Sequence, residues 1–321
     1  MAKILITGSK GVVGSWLTKI LSERGHVVYG VDLYHAPGEI GWEHEMGKTD
    51  FEYARCDVAD YRQLERVFEK IGAVDFVYHA AAEFGRWNGE DYYEQLWRSN
   101  AIGTKNIIRL QEKMKFKLIH FSSSEVYGDY PELMIETVMD DHEIKQMNDY
   151  ALSKWVNEQQ VRNSHEMHQT ESVVVRLFNT YGPGEWYHPY RSVNCKFTYH
   201  ALKGLPVTVY KGHLRTSTYL EDTCVTIANI VDNFIPGRVY NIGGHELHDI
   251  ETLVELIWKH VGADRSLIRF EDSEILTTKA KRVDVSLSER ELKHKNTVSL
   301  EDGVRYTVEW MKTNLEKGKW G

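Results

Sequence analysis

The sequence predicts an α/β protein, a doubly wound parallel sheet followed by a smaller lobe of mixed α/β elements. Three observations predict it. Short apolar runs alternate with helical segments through residues 1–180. The first run opens into a glycine-bearing turn, Gly8-Ser-Lys-Gly11-Val12-Val13-Gly14, that leads into a helix. After Gly182-Pro183-Gly184 the elements become short and irregular, so residues 181–321 are assigned to a second, smaller lobe.

The elements follow in order. Lys3–Thr7 is an apolar strand, and Val12, Val13, Trp16, Leu17, Ile20 and Leu21 recur at helical spacing until Gly25 stops the helix. His26–Asp32 is a second strand, and the run beginning at Phe51 is a third. Tyr61–Ile71 reads as a helix, Asp75–Ala82 as a fourth strand and Tyr92–Lys113 as one long helix. A fifth strand ends in Ser122-Ser123-Ser124, a helix covers Tyr150–His165, and Glu171–Asn179 is a sixth strand. Strands linked by helices in this way make right-handed crossovers and a parallel sheet. The second lobe reads as helices near 193–203, from Asp222, from Ile250 and over 300–315. Strands at Pro206–Tyr210, Ser217–Glu221 and Val239–Gly243 lie between them.

Composition narrows the function classes. An apolar content of 42%, a charged content of 27% and a net charge of −8 over 321 residues describe an ordinary globular chain. Nucleic acid and anionic membranes are poor partners for it. Cys56, Cys195 and Cys224 form no close pair, which argues against a disulfide framework and a zinc site. His245-Glu-Leu-His248 has the wrong spacing for a zinc helix, so no metal is expected. The N-terminus does not read as a signal peptide and no run is long enough to span a bilayer. A cytoplasmic protein is the expectation.

The glycine turn carries the first chemical reading. Gly8, Gly11 and Gly14 permit a tight turn, close approach of a pyrophosphate to backbone N–H groups, and packing of helix on strand. Val12 and Val13 open the helix whose positive end faces that phosphate. Asp32 closes the second strand, where a carboxylate bonds the ribose hydroxyls of NAD and repels the extra phosphate of NADP. Asp57, with Val58 beside it, is placed at the adenine edge. Ala80, Ala81 and Ala82 offer small side chains beside a flat cofactor. The prediction is a Rossmann-type NAD site.

The second reading is proton transfer. Tyr150-Ala-Leu-Ser-Lys154 puts a phenol and an ammonium on one helix face. A lysine cation, together with the positive nicotinamide ring, favours the phenolate, which then serves as a base. A hydroxyl of the serine run shares the proton. Glu125 follows that run, where a carboxylate either caps a helix or moves a proton.

Taken together, Gly8-x-x-Gly11-x-x-Gly14, Asp32, the serine turn and Tyr150-x-x-x-Lys154 resemble the extended short-chain dehydrogenase/reductase family. More narrowly, the chain resembles its NAD-dependent nucleotide-sugar epimerases and dehydratases. Asn100-Ala-Ile-Gly-Thr, Arg176-Leu-Phe-Asn179-Thr-Tyr-Gly-Pro-Gly184, Thr218-Tyr-Leu-Glu-Asp222 and Tyr240-Asn-Ile-Gly-Gly244 match further landmarks, so the resemblance spans almost the whole chain. It implies Ser123 as the hydroxyl partner of Tyr150 and Lys154, and Asn100 among the cofactor-site residues. It implies Asn179 near the sugar diphosphate, and Arg215 and Arg282 as phosphate clamps, with Arg191 a further candidate. It also implies a nucleotide-diphosphate sugar as substrate, and a homodimer through the helices near 92–113 and 150–165.

Within the resemblance, Ser123-Ser124-Glu125 matches the order found in 4,6-dehydratases, with serine in the middle as in the GDP-mannose enzymes. There the C4 hydroxyl is oxidised, Glu125 removes the C5 hydrogen, and water leaves C6 with Ser124 or a bound water as acid. A raised Glu125 pKa is expected from partial burial. An epimerase or a decarboxylase on the same scaffold is the alternative, and a silent NAD-binding sensor a remote one. The decarboxylases share the hydroxyl-Ser-Glu pattern. Alignment puts Ser286 where one bacterial group of them carries a catalytic arginine, which counts against that activity. Two unusually aromatic and charged segments, Glu83-Phe-Gly-Arg86-Trp through Asp91 and Gly184 through Arg191, are expected to face the substrate. Their tryptophans serve either stacking or packing.

Overall fold

The computed structural model describes residues 1–33, 52–272 and 274–317. Its centre is a seven-stranded sheet. In chain order the strands are β1 Lys3–Thr7, β2 Val27–Asp32, β3 Glu52–Arg55, β4 Phe76–His79, β5 Lys117–Ser123, β6 Ser172–Leu177 and β7 Val239–Ile242. Their spatial order is β7-β6-β5-β4-β1-β2-β3, with every neighbouring pair parallel. The order reverses between β1 and β4, and a crevice opens there beyond the carboxyl ends of the strands. Ile4, Leu5 and Ile6 of β1 are fully buried, as a central parallel strand covered on both faces requires. Phe51, the start of the expected third strand, lies outside the described residues.

Most predicted elements occur within a few residues of their expected bounds. The helices Val12–Glu23, Tyr61–Ile71, Asp149–His168, Val193–Lys203, Ile250–Val261 and Leu300–Glu316 are all present. The long helix expected over 92–113 is instead broken. It is built from helices Tyr93–Trp97 and Gly103–Met114, joined by a π-helical stretch, Arg98–Ile102. That wider turn lets Asn100 reach inward, to Glu83 and Ser153. The strand expected over 217–221 shrinks to Thr218–Tyr219, because the next helix already starts at Leu220.

From 181 onward the chain divides: Val239–Ile242 joins the central sheet, while Phe197, Val209, Leu253, Ile257, Trp258 and Val304 pack together in an apolar core of their own. Short strand pairs order this part and, in the second case, tie it to the rest. Leu214–Thr216 pairs with Leu247–Asp249, and Arg282–Val283 pairs in parallel with Leu133–Met134. The second pairing returns a late segment to the end of β5, where the serine run lies. Among the described residues no helix is long and apolar enough to cross a membrane.

Candidate active site

Two clefts meet at the carboxyl end of the sheet. The first is lined by Gly8, Gly11, Val12, Val13, Gly14, Asp32, Asp57, Val58, Ala80, Ala81, Ala82 and Glu83. Its floor is backbone. Gly8 has φ +71, and a Cβ there meets Ala81 N at 2.7 Å; a Cβ on Gly14 meets the Gly8 carbonyl oxygen at 2.0 Å. Both positions therefore require glycine, and the bare backbone they leave is the cradle a pyrophosphate needs. The Asp32 carboxylate accepts the Lys10 N–H at 2.9 Å and the Leu33 N–H at 2.7 Å. Burial raises its pKa against those bonds. A carboxylate at the tip of β2 beside such a cradle fits the ribose of NAD.

Two residues assigned to the cofactor from sequence have structural work here. The Asp57 carboxylate accepts from the Ala59 N–H at 2.8 Å and pairs with Arg98 at 2.7 Å while still lining the cleft. Asn100 is 1% exposed, and its amide clamps the Glu83 backbone through N–H···O bonds of 2.8 and 3.1 Å. It shapes the cleft wall by holding that loop. Glu83, expected at the substrate, lines this first cleft instead, and its carboxylate accepts from Asn88.

The second cleft is lined by Arg86, Ser123, Ser124, Glu125, Asn179, Arg191 and Arg215 among others, and it shares Tyr150 with the first. Tyr150 thus stands where the two clefts join. Burial pushes its phenol up to about 12, with the Ser123 hydrogen bond pulling downward and the Glu125 charge adding to the rise. The expectation of a phenolate favoured by Lys154 is not met by the protein groups alone, for a physical reason. The Lys154 Nζ lies 5.9 Å from the Tyr150 ring centroid and donates to the Phe121 carbonyl at 2.9 Å. Burial also lowers Lys154 to about 8, with Glu158 opposing that fall.

Glu125 directly follows the serine run. Its N–H donates to Ser123 Oγ at 3.2 Å, so Ser123 caps the short 3₁₀ turn Ser124–Tyr127. The carboxylate nonetheless faces the cleft. Burial alone raises its pKa, but Lys281, Arg86 and Arg215 together outweigh burial and hold it below the usual glutamate value. The expected raised pKa is therefore reversed. The cause is Lys281, which the sequence reading passed over in favour of its neighbour Arg282. Strand alternation explains the exchange. Arg282 is exposed and lines neither cleft, whereas Lys281 is 2% exposed and its ammonium bonds Glu125 Oε1 and Ser124 Oγ. Ser286 is exposed at the start of helix Ser286–Leu292.

The arginines are held in different ways. Arg215 donates to the carbonyls of Leu214 and Lys279 at 2.8 and 3.0 Å and to Thr277 Oγ1 at 3.1 Å. Arg86 pairs with Glu274 at 3.1 Å, but its Nη1 is buried and makes no hydrogen bond among the described residues. Arg191 stacks 3.9 Å over Phe84, and its buried Nε is likewise unbonded there. Asn179 adopts a φ of +37 and donates to the Thr216 carbonyl at 3.2 Å. The two aromatic segments touch each other, Tyr190 OH donating to Asp91 at 2.5 Å. Trp87 lines the substrate cleft, whereas Trp186 packs edge-on against Trp310 away from it.

Comparison with known proteins agrees with this geometry. Residues 4–243 match the NAD dependent epimerase/dehydratase family. UDP-glucuronic acid decarboxylase 1 of Danio rerio is 30% identical over 321 residues, covering 98% of this chain and 73% of that protein. The dTDP-glucose 4,6-dehydratase of Salmonella typhimurium is 26% identical, covering 98% of this chain and 94% of its own. The solved UDP-glucuronic acid 4-epimerase from Bacillus cereus, in complex with UDP-glucuronic acid and NAD, superposes with a TM-score of 0.85 at 25% identity, covering 97% of this chain and 99% of that one. This chain belongs to the NAD-dependent epimerase/dehydratase family.

Proposed function

We propose that, among the dehydratases, epimerases and decarboxylases of this family, the chain is a nucleotide-sugar 4,6-dehydratase. One observation carries the reading: Glu125, its pKa held down by Lys281, Arg86 and Arg215, lines the same cleft as Ser123 and Tyr150. NAD is the cofactor, and when bound it supplies the hydride acceptor for C4 and the later donor for C6. The Gly8–Gly14 turn holds its pyrophosphate and Asp32 its ribose. Asn179, Arg191 and Arg215 hold the sugar diphosphate. Tyr150 takes the proton of the C4 hydroxyl, Ser123 shares that hydrogen bond, and Lys154 supports the resulting phenolate. The C4 ketone acidifies the C5 hydrogen, and Glu125 removes it. Two copies of the chain pair through the helices around Gly103–Met114 and Asp149–His168, beside which Ile102 and Leu152 are exposed.

A second reading is decarboxylation of a nucleotide-linked uronic acid. It is favoured by Lys281, Arg86 and Arg215 around Glu125, a cation-rich end that suits a sugar carboxylate. Incubation with UDP-, dTDP-, GDP- and CDP-sugars, followed by mass spectrometry of the products, separates the readings. Loss of water from a neutral hexose is expected. Loss of carbon dioxide from a uronic acid establishes the second reading, and isomerisation without a mass change rejects both.

A further inference from the structure

We infer that Lys281 is the proton store of the elimination: it holds Glu125 as a carboxylate and, through Ser124, supplies the proton that leaves with the C6 hydroxyl. The inference rests on the dehydratase reading above. The geometry behind it is a short chain of groups. Lys281 Nζ donates to Ser124 Oγ at 3.3 Å and to Glu125 Oε1. Ser124 and Glu125 line the substrate cleft, whereas Lys281 lies behind them at 2% exposure. Its backbone N–H is fixed to the Leu214 carbonyl at 3.0 Å, which anchors the segment that carries it behind the serine run.

A buried ammonium is costly, and an apolar side chain of similar size would often be cheaper at such a place. Its charge is therefore expected to have a use. The groups facing it define that use. Burial pushes its pKa down, Glu125 pulls it up, and Arg215 and Arg86 push it down again; Glu274 neutralises Arg86 from the outer side. The balance falls at about 8, near the range where an acid both holds its proton and releases it.

The protons balance. Glu125 takes the C5 proton as the C5=C6 bond forms and the C6–O bond breaks. The departing hydroxyl takes the Ser124 proton and leaves as water, and Lys281 refills Ser124. The proton on Glu125 exchanges with solvent while the alkene stands, and Glu125 then protonates C5. Solvent restores Lys281, and solvent receives the proton that Tyr150 took from the C4 hydroxyl. Lys281 acts through Ser124 and is in this sense a positioning residue.

The test compares Lys281→Arg and Lys281→Met with the parent, using the nucleotide sugar from which the parent eliminates water. Lys281→Arg keeps the positive charge but holds its proton too tightly to act as an acid. It is expected to exchange the C5 hydrogen with deuterated water while losing water about 100-fold more slowly. Its alkaline fall in rate near 8 is expected to disappear. Lys281→Met is expected to slow both steps. NMR titration of Glu125, assigned with Glu125→Gln, is expected to show an upward shift in Lys281→Met and none in Lys281→Arg, with or without sugar present. Water loss at the parent rate with the same alkaline limb in Lys281→Arg overturns the inference, as does parent-like behaviour of Lys281→Met. If the parent itself releases no water from any sugar nucleotide, the dehydratase reading falls and takes this role with it.

Discussion

The two clefts that meet at Tyr150 are built by different means. The cofactor cleft is mostly backbone and small side chains, contributed by strand ends: Gly8–Gly14 after β1, Asp32 at the end of β2, Ala80–Ala82 after β4. The second cleft draws its charged side chains from remote segments, with Arg86, Glu125, Arg191 and Arg215 converging from four parts of the chain. In the first, shape excludes the wrong atoms. In the second, charge fixes protonation states. A methyl group is the larger threat to one, and a lost cation the larger threat to the other.

The comparison can be broken at its junction first. Tyr150→Phe is expected to lower turnover about 10³-fold with cofactor affinity nearly unchanged, as kinetics and calorimetric titration with NAD will show. Behind both clefts lies a buried ion pair. Arg176 bonds Glu158 at 2.7 and 3.0 Å and Tyr127 OH at 2.9 Å, and Glu158 in turn accepts from Ser122. Arg176→Met leaves Glu158 buried and unpaired, and is expected to cost about 3–5 kcal/mol in chemical denaturation. Shape is tested by Gly14→Ala, whose methyl group meets the Gly8 oxygen at 2.0 Å. NAD affinity is expected to fall on the order of 100-fold, about 3 kcal/mol.

A smaller effect concerns pH. His79 is buried, and burial with Lys154 nearby lowers its pKa to about 3; His120 beside it is lowered by the same causes, with His79 adding to them. As pH falls below the ordinary histidine value, the unfolded chain takes up protons that the folded chain refuses. Stability is therefore full above about 6.5 and is lost as pH falls from there toward about 3. By pH ~4.5 the His79 shift is expected to cost about 3 kcal/mol, and His120 acts in the same direction. Thermal melts of His120→Leu should show a flatter acid limb than the parent, and an unchanged limb contradicts this assignment.

The difference between the clefts also governs what could be read in the sequence. The glycine turn, Asp32 and the Tyr150–Lys154 pair are local patterns, because the sheet repeats strand, turn and helix in register with the chain. Their positions needed no knowledge of long-range packing. Lys281 needed it: only the pairing of Arg282 with Leu133 decides which of two neighbouring cations turns inward. The direction of the Glu125 shift was missed for the same reason, since burial is local but its three cations are not. The break at Arg98–Ile102 escaped periodicity, because one extra residue in a turn leaves the apolar spacing almost intact.

The most direct test of the central assignment is the product formed in deuterated water by the parent and by Glu125→Gln, from the sugar nucleotide that the parent dehydrates. The parent is expected to lose water and carry solvent deuterium at C5. Glu125→Gln is expected to oxidise C4, seen as nicotinamide reduction, yet keep the C5 hydrogen and the C6 oxygen. Water loss and C5 deuterium at the parent rate in Glu125→Gln would contradict the account, and the base would have to be sought elsewhere in the cleft.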